Sequence, residues 1–176
     1  MNSDPGFAIW ITGLPASGKS TITSDLVARL EAQKIPVVVL ESDFMRTILT
    51  PHATYAPEER DAFYRSLVLI GDLLVRSGVN VIFDATGNKR AYRDHARSLL
   101  PKFVEVYSAC PLDVCRARDP KGIYRLAASG RADAVPGVQA AYEPPEHPEV
   151  TLNCSTLTRE TDTDVILDKL KQLMYI

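Results

Sequence analysis

The stretch from Gly13 to Thr21 reads GLPASGKST and has the residue types that bind a chain of phosphates. Its spacing is that of a Walker A motif: Gly13, four residues, then Gly18, Lys19 and Ser20. Glycines let successive backbone N–H groups converge on phosphate oxygens, the lysine supplies a positive charge near the β- and γ-phosphates, and the serine hydroxyl is suited to ligate Mg²⁺. We therefore predict a phosphate-binding loop, formed by Gly13, Leu14, Pro15, Ala16, Ser17, Gly18, Lys19, Ser20 and Thr21.

Two carboxylates follow later strand-like runs of the chain. Asp43 lies in LESDFMR, three residues before Arg46, and Asp84 ends the run VIFD. An aspartate at the end of such a strand can orient or deprotonate an attacking hydroxyl or hold Mg²⁺, and an arginine can bind a second anion. Both aspartates are candidates for the metal, and the sequence does not rank them. The alternative for Asp43 and Arg46 is a helix N-cap beside a surface arginine.

Further cationic and aromatic side chains follow these carboxylates. Arg60 lies one turn before Phe63 on an apolar helical stripe, which predicts that it points toward the cleft. Tyr55 either stacks on a nucleobase or covers the surface. Three basic residues after Asp84 either contact an anionic substrate or form the solvated start of a helix. They are Lys89, Arg90 and Arg93.

Strand-like and helical patterns alternate along the chain, which predicts a parallel sheet covered by helices on both faces. The predicted strands cover residues 7–12, 37–42, 79–84, 103–108 and 149–153, with a terminal helix over 162–174. We predict one α/β domain over residues 1–176, with a three-layer α/β/α P-loop NTPase fold and a mostly parallel five-stranded sheet. Ligands of such folds bind beyond the carboxyl ends of the strands.

The stretch from 119 to 148 contains five prolines and three glycines and has no sustained apolar period. It is either a solvated connector or a lid that excludes water during phosphoryl transfer, and we favour the lid.

Composition limits the partners. The chain is 45% hydrophobic with a formal net charge of -2, so we expect neither nucleic acid nor an anionic membrane surface as a partner. Cys110, Cys115 and Cys154 lack metal-ligand spacing, and the N-terminus lacks the pattern of a secretory signal. These features predict a cytoplasmic protein with reduced thiols.

The chain resembles the adenylylsulfate kinase (APS kinase) family of P-loop kinases, from TGLPASGKST through LESDFMR to CPLDVCRARDPKGIYR and YEPPEHPEV. The most specific part is RDPKGIY followed by AYEPPEHPE. The resemblance implies ATP-dependent phosphorylation of the 3′-hydroxyl of adenosine 5′-phosphosulfate (APS), a reaction of sulfate assimilation. It implies catalytic roles for Lys19, Asp43 and Lys121, places Arg118 beside the ATP base, and is compatible with a homodimer.

For the acceptor, the resemblance implies that Arg46 and Arg60 bind the phosphosulfate end and that Tyr55 stacks on the adenine. Two acceptor positions depart from the family pattern: Phe63 stands in place of an asparagine, and Val135 in place of a lid phenylalanine that would form the second stacking face. Losing one stacking face costs about 1 kcal/mol, a several-fold loss of affinity.

A third departure follows Asp84. Thr86, Gly87 and Asn88 stand where the family has an Ile-Ser-Pro element, so a phosphoserine is impossible at Gly87. These departures leave open a kinase for a different nucleotide or small-molecule hydroxyl. A non-catalytic nucleotide-binding regulator is the alternative from another class, and the intact Lys19 and Asp43 argue against it.

Overall fold

A five-stranded sheet forms the centre of the molecule. The computed structural model describes residues 4–154 and 159–176, without the side chains of 159 and 160. The strands are β1 Ala8–Thr12, β2 Val37–Glu41, β3 Asn80–Asp84, β4 Phe103–Ala109 and β5 Val150–Asn153. Their order is β2-β3-β1-β4-β5, and every pair is parallel. The predicted α/β fold is confirmed, and each predicted strand lies within a residue of its place.

Seven helices are described. They are α1 Lys19–Ala32, α2 Ser42–Leu49, α3 Pro57–Arg76, α4 Arg90–Leu99, α5 Leu112–Arg118, α6 Ile123–Ala128 and α7 Arg159–Gln172. The sequence patterns did not predict α6, because six residues are too few to show an apolar repeat. Its N-terminus is fixed by Asp119, whose carboxylate accepts hydrogen bonds from the backbone N–H groups of Tyr124 and Arg125.

The central strand β1 is buried along its whole length and contributes to a core on each face of the sheet. Ala8 and Trp10 point to one face, where side chains of α3 and α4 pack on them. Ile9 and Ile11 point to the other face, which α1 and α7 cover. Both faces of the sheet are therefore covered by helices, and the predicted site residues follow its carboxyl edge.

A third, smaller apolar cluster joins residues 119–148, called the lid segment below, to the phosphate-binding loop. Tyr124 and Val135 pack there with Cys115, and Leu14 and Ala16 of the loop contact the cluster. The lid segment is therefore attached to the loop through its own small core.

Cys110 and Cys154 form a disulfide with a Cα–Cα distance of 5.2 Å. The prediction that all thiols are reduced is therefore wrong for these two residues, whereas Cys115 is free and buried. The physical reason is the parallel pairing of Ala109 with Asn153, which brings the next residue of each strand into bonding range. Among the described residues, no helix is both long and apolar enough to cross a lipid bilayer.

Candidate active site

The Walker loop joins β1 to α1 in the conformation that its glycines allow. Gly13 has a φ of 152°, and a side chain there would approach Ser17 Oγ and the Ser108 carbonyl oxygen to 2.6 and 2.7 Å. Gly18, the N-cap of α1, has a φ of 104°. The loop therefore directs backbone N–H groups and the positive end of α1 toward one point, where an anion is stabilised.

The side chain of Lys19 folds back over this loop. Its Nζ donates hydrogen bonds to the carbonyl oxygens of Gly13 and Leu14, at 3.1 and 2.9 Å. Burial lowers the pKa of Lys19, and the nearby charges of Asp84 and Asp43 oppose that shift. A desolvated ammonium at this position is suited to interact with phosphate oxygens.

Asp84 lies at the end of β3, beneath the loop, and is 4% exposed. Burial raises the pKa of its carboxyl, while a hydrogen bond with Ser20 and the charge of Lys19 act in the opposite direction. The Ser20 hydroxyl and the Asp84 carboxylate thus place two oxygen atoms next to each other, and Mg²⁺ prefers oxygen ligands. The described residues contain no cluster of three or more His, Cys, Asp or Glu side chains suited to a metal. A Mg²⁺ held by one or two protein oxygens and by phosphates fits this pair.

Asp43 and Lys121 meet across the mouth of the cleft. Lys121 Nζ donates to Asp43 Oδ2 at 2.5 Å, and both side chains are more than half exposed. The hydrogen bond from Lys121 to Asp43 raises the pKa of the lysine. The structure thereby brings the third predicted catalytic residue, on the lid segment, to the first turn of α2.

The loop, both aspartates and Lys121 line one cavity of about 580 Å³. Arg118, Cys154 and Asp162 also line this cavity. Arg118 donates to the Cys154 carbonyl oxygen at 3.4 Å and lies 3.7 Å from Cys110 Sγ. Sequence reasoning missed Cys154 and Asp162 as lining residues, since neither belongs to a recognisable motif.

The predicted acceptor residues form a second group. The guanidinium groups of Arg46 and Arg60 lie 4.9 and 5.7 Å from the ring centroid of Tyr55. Arg46 is 8% and Arg60 7% exposed, although both are charged. Tyr55 has a φ of 58°, a strained conformation for a non-glycine residue of the kind that concentrates at functional sites.

Phe63 and Val135, the two positions that depart from the family pattern, are buried, whereas Tyr55 is exposed. The Phe63 ring is 1% exposed and lies beneath the Arg46 guanidinium, 3.9 Å from its carbon. Val135 is 5% exposed and packs in the small core of the lid segment, away from the cavity lining. Their direct contact with a substrate stays a prediction, and the structure gives Phe63 a clear role through Arg46.

The loop after β3 is closely packed on Trp10. Trp10 Nε1 donates to the Ala85 carbonyl oxygen at 2.9 Å, and the Gly87 N–H donates to Tyr64 Oη at 3.0 Å. Gly87 has a φ of 49°, and a side chain there would meet the Trp10 ring at 2.8 Å. A serine at this position would therefore not fit without a shift.

Arg93 follows neither of its two predicted alternatives. It is 1% exposed and binds Glu105 at 2.6 Å, the Glu143 carbonyl oxygen at 2.6 Å and the Gly87 carbonyl oxygen. Arg93 is therefore neither solvated nor free to contact a substrate, and both predictions are wrong for this residue. Its guanidinium is buried and hydrogen-bonded to Glu105 of β4 and to Glu143 of the lid segment. Lys89 pairs with Asp61.

Arg90 also turns toward the lid segment. Its backbone N–H donates to Glu143 Oε2 at 2.7 Å, and its side chain pairs with Glu146. Arg90 and Arg93, at the start of α4, therefore anchor the end of the lid segment.

The family model of adenylylsulphate kinase matches residues 5–153 of the chain. An adenylyl-sulfate kinase of Gloeothece citriformis is 42% identical over 97% of this chain and 97% of its own length. A probable adenylyl-sulfate kinase of Pyrococcus abyssi is 34% identical, over 97% and 98%. The structure of the Mycobacterium tuberculosis APS kinase CysC in complex with AMPPNP and APS superposes with a TM-score of 0.89. It has 28% identity and covers 96% of this chain and 99% of its own.

Proposed function

This chain belongs to the adenylylsulfate kinase family, and we propose how its own residues carry out the reaction of that family. It is an ATP-dependent kinase that phosphorylates the 3′-hydroxyl of APS. The bond between the γ-phosphorus and the oxygen that leaves with ADP breaks. A bond to the 3′-oxygen forms, and the hydroxyl proton passes to a base or to solvent.

On the ATP side, the loop from Gly13 to Thr21 supplies N–H groups to the phosphates and the half-buried Lys19 supplies a positive charge. Arg118 lines the same cavity, and we propose that it lies beside the ATP base. Mg²⁺ would be held by Ser20 and Asp84, with Asp43 as the further candidate, and when bound it neutralises charge on the transferred group.

On the acceptor side, the observation that carries the proposal is the pair of buried guanidinium groups beside Tyr55. Among the described residues, Arg46 has only Glu59 at 3.4 Å as an ionic partner, and Arg60 has neutral oxygens. A buried cation is costly unless an anion compensates it, and the phosphosulfate group provides that anion. Tyr55, 47% exposed, offers a ring face to the adenine.

Asp43 and Lys121 act between the two substrates. Asp43 lies at the start of α2, on the same short helix as Arg46, so its carboxylate can accept the proton of the 3′-hydroxyl while Arg46 holds the other end of APS. The ion pair between Asp43 and Lys121 must open for Lys121 to reach the transferred phosphoryl group. We propose that closure of the lid over ATP breaks the ion pair and brings Lys121 to the phosphoryl group. The lid is formed by residues 119–148 and belongs to a single domain that spans residues 1–176.

Two substitutions test the assignment from opposite sides. Lys19→Ala should lower kcat by about 100- to 1000-fold, because it removes the cation nearest the transferred group. Arg60→Ala should raise the KM for APS by roughly 10- to 100-fold and leave the KM for ATP nearly unchanged. Exposed Lys171→Ala and Arg65→Ala are the matched controls and should change neither constant.

An ADP-release assay with APS and a panel of other nucleotide and sugar acceptors gives the readout. ADP formed with another acceptor, and none formed with APS, would refute the acceptor assignment. Equal effects of Arg60→Ala on both substrates would refute its assigned role.

Assembly and location belong to the same proposal. A homodimer is supported by large exposed apolar side chains on α2 and α3, which are Phe44, Ile48, Leu69 and Leu73. Light scattering at micromolar concentration tests for this dimer.

A cytoplasmic location stays a prediction. It rested partly on the expectation of reduced thiols, which the disulfide contradicts for Cys110 and Cys154.

A further inference from the structure

The side chain of Asn88 connects Arg60, one of the predicted acceptor-binding residues, to the lid segment. Its Oδ1 accepts a hydrogen bond from Arg60 Nη1 at 3.2 Å, and its Nδ2 donates to the Ala141 carbonyl oxygen at 3.0 Å. Its own carbonyl oxygen accepts from the N–H of Glu143 at 2.8 Å. Asn88 is 5% exposed, so both ends of its side-chain amide are buried and hydrogen-bonded.

Arg60 reaches the lid segment by a second route. Its Nη2 donates to the Ala134 carbonyl oxygen at 2.7 Å. Arg60 and Asn88 together therefore hold residues 134 and 141–143, on either side of the turn at Pro136 to Ala140. The lid segment is thus hydrogen-bonded to Arg60 through residue 134 and to Asn88 through residues 141–143.

An asparagine is well suited to this position for an electrostatic reason. Its amide oxygen orients the guanidinium of Arg60 without neutralising it, so the positive charge remains for an acceptor anion. An aspartate would satisfy the same hydrogen bond but would pair with the charge. A proline, which the family pattern places here, has no side-chain amide to offer.

We infer that Asn88 is a positioning residue, which holds Arg60 in the orientation that binds the acceptor anion and fastens residues 134–143 beside it. This inference rests on the proposed function for the identity of the acceptor. The contacts of Asn88 with Arg60 and the lid segment are independent of that identity.

Two substitutions of Asn88 distinguish the loss of its hydrogen bond to Arg60 from neutralisation of the Arg60 charge. Asn88→Ala removes both side-chain hydrogen bonds and should raise the KM for APS by about 5- to 20-fold. Asn88→Asp, which is of equal size, should raise it further, because the new carboxylate competes with APS for Arg60 and opposes the Ala141 carbonyl oxygen. The KM for ATP should stay within twofold in both variants.

Asn80→Ala is the matched control. Asn80 also makes two side-chain hydrogen bonds, accepting from the Phe7 backbone N–H and donating to the Pro36 carbonyl oxygen, but it lies at the amino end of β3. The Asn80→Ala substitution should lower the melting temperature without changing the KM for APS. If Asn88 had only a structural role, the Asn88 variants would likewise lower the melting temperature and leave the KM for APS unchanged.

Hydrogen exchange of the substrate-free protein supplies a readout that needs no turnover. Amides of residues 134–143 should exchange faster in both Asn88 variants than in the wild type, and those of α1 should be unchanged. If the wild type phosphorylates APS and both variants keep their KM for APS within twofold, the inference is overturned and the proposed function stands. If the wild type does not use APS, the proposed function fails, and unchanged exchange at 134–143 overturns the inference separately.

Discussion

The guanidinium of Arg46 stacks on the ring of Phe63, with 3.9 Å between its carbon and the ring centroid. The ring is buried beneath it, in T-shaped contact with Tyr64 at 5.2 Å. A cation over the face of a desolvated aromatic ring gains about 0.5–2 kcal/mol. Phe63, which departs from the family pattern, thus supports Arg46, the proposed acceptor-binding arginine, from below.

Phe63→Leu should therefore weaken APS binding. Leucine keeps the apolar contact but removes the ring face, so we expect the KM for APS to rise by roughly 3- to 30-fold with the KM for ATP unchanged. Steady-state kinetics with each substrate varied in turn measures both constants. Phe83→Leu is the control, because Phe83 is equally buried but stacks on Trp10 at 5.0 Å. Equal rises in the KM for APS in both variants would show that general loosening of the core is responsible.

The sequence was sufficient for the sheet because four of the five strands are runs rich in Val, Ile or aromatic residues; β5, with the sequence VTLN, gave a weaker pattern. It was also sufficient for the phosphate-binding loop, whose backbone geometry requires glycine at fixed positions. The contacts of Phe63 and Arg93 could not be predicted, since each depends on which distant partner the fold brings near a charged group. Arg93, for example, is 50 residues from its partner Glu143 in the chain.

Gly87→Ser restores the residue type of the family pattern and should destabilise the protein. The new side chain meets Trp10 at 2.8 Å and requires a positive φ, so we expect a loss of about 2 kcal/mol or more. Gly130→Ser is the matched control, because Gly130 also has a positive φ but has no neighbouring atom within 4 Å of the added side chain. Urea unfolding of both variants measures the difference. Equal losses would mean that Trp10 leaves room for a side chain at 87.

Asp84 and Asp43 can be ranked as metal ligands by their magnesium dependence. Asp84 is buried next to Ser20, whereas Asp43 is exposed and paired with Lys121. Asp84→Asn should therefore raise the Mg²⁺ concentration for half-maximal activity by about tenfold or more, because one of the few protein oxygens near the phosphates loses its charge. Asp43→Asn should mainly lower kcat. Activity measured over a Mg²⁺ series at saturating ATP and APS gives both numbers, and a larger magnesium effect in Asp43→Asn would reverse the assignment.

The ion pair of Glu149 with Arg97 makes part of the stability dependent on pH. Burial alone would raise the pKa of the Glu149 carboxyl, but hydrogen bonds from Arg97, at 2.5 and 2.9 Å, and from the Glu105 N–H outweigh it and hold the pKa below its usual range. A carboxyl with a lowered folded-state pKa stabilises the protein above its unfolded-state pKa, and this contribution is lost as the pH falls through the folded-state pKa.

Glu149→Gln should accordingly cost about 1 kcal/mol at pH 7, since the pair is partly exposed, and progressively less as the pH falls below about 4.5. Unfolding by urea at several pH values measures the difference. Glu31→Gln, at an exposed position of α1, is the control and should show no such trend. A constant difference between pH 3 and 7 would contradict the role of the Glu149 charge.

The disulfide between Cys110 and Cys154 closes a loop of 44 residues that contains the whole lid segment. Restricting a loop of this length in the unfolded chain stabilises the folded state by about 2–4 kcal/mol. Cys154→Ser should therefore lower the melting temperature, and reductant should lower that of the wild type but not that of the variant. Because Arg118 contacts both cysteines, we also expect the KM for ATP to rise while the KM for APS changes little. Cys115→Ser removes a thiol outside the bond and should leave the response to reductant intact. A wild type that melts at the same temperature with and without reductant would show that the bond contributes nothing to stability.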